Sequence, residues 1–228
     1  GLGDVYKRQE KNLKFGEYKF EDKISVSEIL EKLRKGKTVS RKITIIEGSS
    51  KNDLLNLLNE INPENILTIE DIPNGIVANT YFYSVTDKTE RVLQNIVEKS
   101  NNLIEKLWNN RDINIPLNTI NELSILASIV EKETSLRQEK PLIAGVFYNR
   151  FEQNMRLQSD PTVVYAITQG KRKLNRKLLR KDLKIKSDYN TYLIRGLPPS
   201  PICFPGIESL QGVACLLYTS DAADDCRC

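Results

Sequence analysis

Two carboxylates close the most apolar stretch of the chain, ILASIVEKET, at Glu131 and Glu133. A carboxyl group carried on a buried helix is a candidate general acid, because an apolar surrounding disfavours its charged form. On a helix advancing about 100° per residue, two positions are about 200° apart. The two groups therefore cannot share one groove as a paired acid and base. Glu131 lies over Ala127, Ser128 and Ser124, small residues that leave room for a ring beside it. Glu133 projects toward Ile129 and Leu126, or escapes where the helix frays. Glu131 is thus the catalytic candidate. The competing reading is a solvated or salt-bridged side chain near a helix end.

Three further polar groups lie downstream. Asn149 and Arg150 come late in LIAGVFYNRF. The Arg150 guanidinium can fork two hydrogen bonds to a carboxylate, either a structural aspartate or an acidic group of a ligand. In MRLQSDP, Gln158 and Ser159 offer hydrogen bonds, while Asp160 reads equally as a helix cap before Pro161 and as a site residue. DYNTYLIRGLPPSPI supplies Tyr189, Asn190, Thr191 and Tyr192, flat rings alternating with amide and hydroxyl groups, a chemistry suited to sugar faces. The same stretch also reads as a loop held rigid by Gly196, Pro198, Pro199 and Pro201.

The elements that position these groups follow from periodicity. A mostly buried helix runs from about Ile120 to Thr134, with Asn118 or Thr119 as its cap. Pro141 suits the first turn of the next helix, whose expected core residues are Leu142, Val146 and Phe147. A short helix after Asp160 turns Val163, Val164 and Ile167 inward. Upstream, Asp87–Trp108 is a long amphipathic helix with Val92, Ile96, Ile104 and Leu107 toward the core, and Asn74–Ser84 reads as strand. From Glu10 to about Asn59 the order is strand (Gly16–Phe20), helix, strand (Arg41–Gly48), helix. The first helix is capped by Ser25 or Ser27, carries the stripe Ile29, Leu30 and Leu33, and stops at Gly36. Ile43 and Ile45 share one face of the strand, and Ser50 caps a helix burying Leu54, Leu55, Leu57 and Leu58. Pro63–Asn74 is a candidate linker. The fold class is α+β.

Gly1–Gln9 and Cys215–Cys228 read as translated sequencing-adapter tails, which leaves Cys203 as the cysteine of the remaining chain. With no histidine, that gives neither a disulfide framework nor a metal-ligand set, and no base to activate a thiol. No cofactor and no metal are expected. A net charge of +4 is mildly basic and favours anionic surfaces without demanding them. The run Lys171–Lys186 has no aromatic residue for base stacking, so it reads as a solvated basic face and no nucleic-acid partner is expected. No run is long enough to span a bilayer, and no signal peptide is visible.

In this order and spacing, LASIVEKET, AGVFYNR, MRLQSDPTVVYA, DYNTYLIRGLPPSPI and FPG resemble the catalytic core of the MltG/YceG family, endolytic lytic transglycosylases that cut glycan strands of bacterial peptidoglycan. The resemblance implies a LysM-like subdomain at 10–60 and a mixed helical/β YceG-like catalytic domain, C-terminally incomplete, at 61–214. It aligns the catalytic glutamate of EKET with Glu131, puts the Gln158–Ser159 loop beside the groove and lines the site with Tyr189, Asn190 and Thr191. It implies that one glutamate acts first as acid, then as base, giving 1,6-anhydro ends without water. Asn74, Ala78 and Asn79 depart from the Glu, Pro and Asp of the matching family segment. The resemblance further implies a membrane anchor N-terminal to this sequence, a catalytic domain on the periplasmic side of the cytoplasmic membrane, and association with wall-synthesis enzymes. A non-catalytic peptidoglycan-binding or scaffold module is the alternative.

Overall fold

The computed structural model describes residues 13–36, 38–62 and 66–215. The tail at Gly1–Gln9 and positions 216–228 lie outside the described residues, as do the first residues of the expected linker.

Helix α1 (Val26–Lys35) is punctuated as its sequence demands. The Ser25 hydroxyl accepts from Glu28 N, the Glu28 carboxylate accepts from Ser25 N, and Gly36 closes the helix at φ 66°. None of its residues is buried, so its apolar stripe is only half covered. The strand expected at Gly16–Phe20 is absent. Among the described residues a single backbone bond, from Val39 N to Glu17 O, reaches this segment, and without a ladder its alternation buries nothing.

Strand β1 (Ser40–Thr44) pairs antiparallel with β2 (Thr80–Ser84), Ser40 opposite Ser84 and Thr44 opposite Thr80. Ile43 and Ile45 turn to the same side, as the alternation requires. Helix α2 (Lys51–Ile61) starts from a Ser50–Asp53 capping box and buries Leu54 and Leu58, leaving Leu55 and Leu57 half-buried. These groups share one core with Ile72, Ile76, Tyr81, Val92, Ile96 and Phe204. That core draws from both sides of the expected division at residue 60, and the sheet crosses it.

Helix α3 (Thr89–Asn109) ties this core to a second one. Val92, Leu93 and Ile96 enter the first, while Ile104 enters the second alongside Val77, Leu117 and helix α4 (Ile120–Glu133). Thr119 caps α4 by accepting from Glu122 N, and every residue from 123 to 130 is buried. Around α4 stand α5 (Lys140–Glu152), α6 (Asp160–Thr168) and α7 (Ile207–Ala214). In α5 the buried arc is Ala144, Phe147 and Tyr148, and the expected core residues Leu142 and Val146 are exposed. The reason is α7, which packs along the arc of α5 that holds Lys140 and Ala144. No helix among the described residues is long and apolar enough to cross a membrane.

An ion pair helps to fix the basic segment after α6. Arg176 forks onto Asp182, with Nη1 2.6 Å and Nη2 3.0 Å from the two carboxylate oxygens, and Leu179 N donates to the same group at 2.8 Å. The guanidinium first, then that amide, hold the Asp182 carboxyl at about 2, below its ordinary 3.8. A folded-state pKa below the unfolded one adds stability above the ordinary value, and that increment is lost as pH falls toward 2. Asp182→Asn is therefore expected to lower the thermal midpoint at neutral pH. It should also flatten the acid limb between about pH 4 and 2, read by circular dichroism melts across pH. An unchanged acid limb would show that the pair does not stabilise the fold.

Candidate active site

The end of α4 sends its two carboxylates in opposite directions, into opposite environments. Glu131 points inward. Both oxygens lie 3.2 Å from Lys140 Nζ, and Oε2 also accepts from Gly206 N at 2.9 Å and from Ser209 Oγ at 2.6 Å. The side chains of Glu131 and Lys140 are 6% and 1% exposed. Gly206 is the residue before α7, so the carboxylate also occupies the positive end of that helix. Lys140, Gly206 and Ser209 thus all donate to this one carboxyl group and hold it in place.

The space that the small residues of α4 leave is filled by protein. Ser128 Oγ accepts from Ile202 N at 3.0 Å, the Cys203 thiol lies 3.3 Å from Ser128 O, and α7 packs beside them. Cys203 is a packed residue, its thiol pushed up to about 12 chiefly by burial. Glu47, which the sequence reading passed over, joins this cluster from the turn after β1. Its carboxyl is raised by partial burial and then by the charge of Glu131. A Cβ on Gly206 would fall 2.0 Å from Glu47 Oε1, so a side chain there would displace the Glu47 carboxyl group.

Glu133 points outward and is exposed. The Ser159 hydroxyl donates to its Oε1. Ser159 is itself buried and held from below: its N–H donates to Thr191 Oγ1 at 3.0 Å, and Thr191 and Thr162 hydroxyls bond to each other at 2.7 Å. Beside them, Tyr192 OH donates to Asp160 Oδ1 at 2.6 Å. The phenol is pushed up to about 12, by that hydrogen bond first, then by burial and by the charges of Asp160 and Glu133, with Arg150 opposing. Glu133, Ser159, Asp160 and Tyr192 thus form one constellation.

The cap reading of Asp160 does not hold. Ser159 is the N-cap position of α6, its hydroxyl is committed to Glu133, and Asp160 is the first helical residue with its carboxylate on Tyr192. Most of the other expected residues make hydrogen bonds within the protein. Arg150 donates to the carbonyls of Arg156 and Leu157 and reaches Gln158 Oε1 at 3.5 Å, so it shapes the loop that presents Ser159. Gln158 sits exposed in that loop at φ 53°. Asn190 is fully buried, its amide donating to Leu183 O and Ile185 O and its carbonyl accepting from Tyr192 N. Thr191 is equally buried. Tyr189 turns away to Ser200 and packs on Tyr165, ring centroids 4.7 Å apart. Asn149 is exposed on the late part of α5.

From Asp160 a cleft of about 1050 Å³ extends between α2 and the segment after α6, with Glu47, Lys132 and Val164 among its lining residues. Among the described residues no group of His, Cys, Asp and Glu is arranged to hold a metal ion. The residues missed by sequence reasoning are Lys140, Ser209, Gly206, Glu47 and Thr162. One of them left a signal: a lysine at a helix N-terminus opposes the helix dipole and calls for a nearby anion.

Comparison with known proteins places this architecture. The YceG-like family profile matches residues 3–218, running past both expected tail junctions. The chain belongs to the YceG-like family. A YceG-like protein of Listeria monocytogenes, lmo1499, has a crystal structure that superposes with a TM-score of 0.68 at 26% identity, covering 96% of this chain and 81% of that one. An endolytic murein transglycosylase of Bacillus subtilis is 36% identical over 58% of this chain and 35% of its own length. One of Streptococcus pneumoniae strain R6 is 28% identical over 88% of this chain and 44% of its own length. This YceG-like chain spans less than half the length of each of those two relatives.

Proposed function

We propose that the chain is the catalytic region of an endolytic murein transglycosylase, as its relatives are named, and that Glu133 is its acid and base. The observation that carries this reading is the contrast at the end of α4. Glu131 is sealed in an ion pair with Lys140, while Glu133 stands in the open beside Asp160, where the cleft begins. This moves the chemical role from Glu131, where the sequence reading had it, and gives Glu131 the task of anchoring α7.

Hydrolysis of a glycosidic bond ordinarily needs two carboxyl groups, one as acid and one as base or nucleophile. A transglycosylase needs one. The Glu133 carboxyl gives its proton to the glycosidic oxygen as the bond from the muramic C1 breaks. The resulting carboxylate then takes the proton of the C6 hydroxyl, whose oxygen bonds to C1 and closes the 1,6-anhydro ring. The proton returns to Glu133 and no water is consumed. The buried Ser159 hydroxyl holds the carboxylate in position, and Tyr192 and Asp160 edge the same opening. On this reading the enzyme works outside the cytoplasmic membrane, among the wall-synthesis enzymes and on a chain anchored N-terminally.

Digestion of purified peptidoglycan, followed by mass spectrometry of the fragments, tests the reaction. The expected fragments are lighter by one water than hydrolytic ones. Hydrolytic ends would overturn the single-carboxylate mechanism. Binding with no cleavage would favour a scaffold module instead.

A further inference from the structure

We infer that the cleft between α2 and the segment after α6 is a subsite for the peptide stem of a glycan strand, a short chain carrying carboxylates and an amine. The inference rests on the transglycosylase reading, because Asp160 belongs both to the cleft and to the Glu133 constellation. A volume of about 1050 Å³ is at the upper end of what one small molecule fills. The cleft therefore has room for more than a sugar ring at the Asp160 end.

Its two walls differ in charge, with Lys132 beside the Gly48 turn as the cation on the otherwise acidic side. Lys171, Arg172 and Lys173 form one wall, all exposed, and among the described residues none has an ion-pair partner. Arg176 beside them is already committed to Asp182. The facing wall comes from α2 and the turn before it, with Glu47 and Glu60. Asp53 on the same helix is occupied by its capping box. Asn52 Nδ2 donates to Gly170 O at 3.2 Å and joins the two walls at their base. A polyanion such as a polyphosphate would gain at the cationic wall and be repelled by the acidic one. A ligand bearing both signs is complementary to both, and a stem peptide has that pattern. Between the walls, Val164 and Leu174 offer apolar contact suited to alanine methyl groups.

Exposed charges act weakly one at a time, so the three cations together should account for about a tenfold preference. The test measures calorimetric affinity of the Glu133→Gln chain, which leaves the probes uncleaved on this reading. The probes are soluble glycan oligomers with peptide stems, the same oligomers stripped by an amidase, and a poly(glycerol phosphate). Stemmed oligomers are expected to bind about tenfold tighter than stripped ones, and replacing Lys171, Arg172 and Lys173 together by Gln should erase that difference. Glu60→Gln should weaken stems with a free amine but not stems whose amine is acetylated. Equal affinity for stemmed and stripped oligomers, or tightest binding of the polyphosphate, overturns the stem subsite. No preference in the Glu133→Gln chain, while the unmodified chain still makes anhydro ends, sinks the subsite alone. A retained preference without such ends sinks the transglycosylase reading alone.

Discussion

Glu133→Gln should reduce turnover on peptidoglycan by about 100- to 10,000-fold while leaving the thermal midpoint almost unchanged, because a positioned general acid contributes that much and an exposed side chain holds little of the fold. Glutamine keeps the shape and still accepts the Ser159 hydroxyl, but it has no proton to give. The diagnostic is the pair of readouts together: anhydro-muropeptide release lost, and melting and affinity for glycan retained. Ordinary cleavage by the variant would return the search for the acid to the remaining carboxylates, Asp160 and Glu47 first.

The mirror-image result is expected two residues earlier and at its partner. Lys140→Ala removes the cation from a pair whose side chains are almost fully buried, leaving the Glu131 carboxylate without its ion-pair partner. Breaking such a pair from one side costs about 3–5 kcal/mol. For a marginally stable fold this is a large share of the total. Chemical denaturation should show a lower midpoint, and activity should fall with the folded fraction. Replacing both partners by apolar residues of similar volume should recover much of the loss. If Lys140→Ala melts as the parent does but makes no anhydro ends, Lys140 and Glu131 belong to the chemistry after all.

What the sequence made legible is what neighbours along the chain decide. The caps at Ser25, Ser50 and Thr119, the stop at Gly36 and the burial of α4 are local in origin, and all are present. The environment of Glu131 is not local. Helical spacing gave it small neighbours, but Ile202, Cys203 and α7 arrive from elsewhere to occupy that space. Gly16–Phe20 alternates like a strand, yet a strand also needs a partner, and the ladder forms between β1 and β2 instead. In α5 the periodicity allowed more than one buried arc, and contact with α7 chose Ala144, Phe147 and Tyr148. Likewise, Ser159, Asp160 and Tyr192 could be nominated from their chemistry. Which carboxylate they surround depends on how the loops close.

The clamp on Glu131 also sets an order of assembly. Its partners Gly206 and Ser209 lie 75 and 78 residues further along the chain. Contacts so distant form late, since the loop between them must be ordered first. A growing polypeptide can complete α4 and expose Glu133 long before residue 209 has been made, but without α7 the Gly206 and Ser209 part of the clamp on that helix end is missing. The clamp is complete only when α7 docks, so a nascent chain carries Glu133 well before it carries the full support of the helix end that presents it.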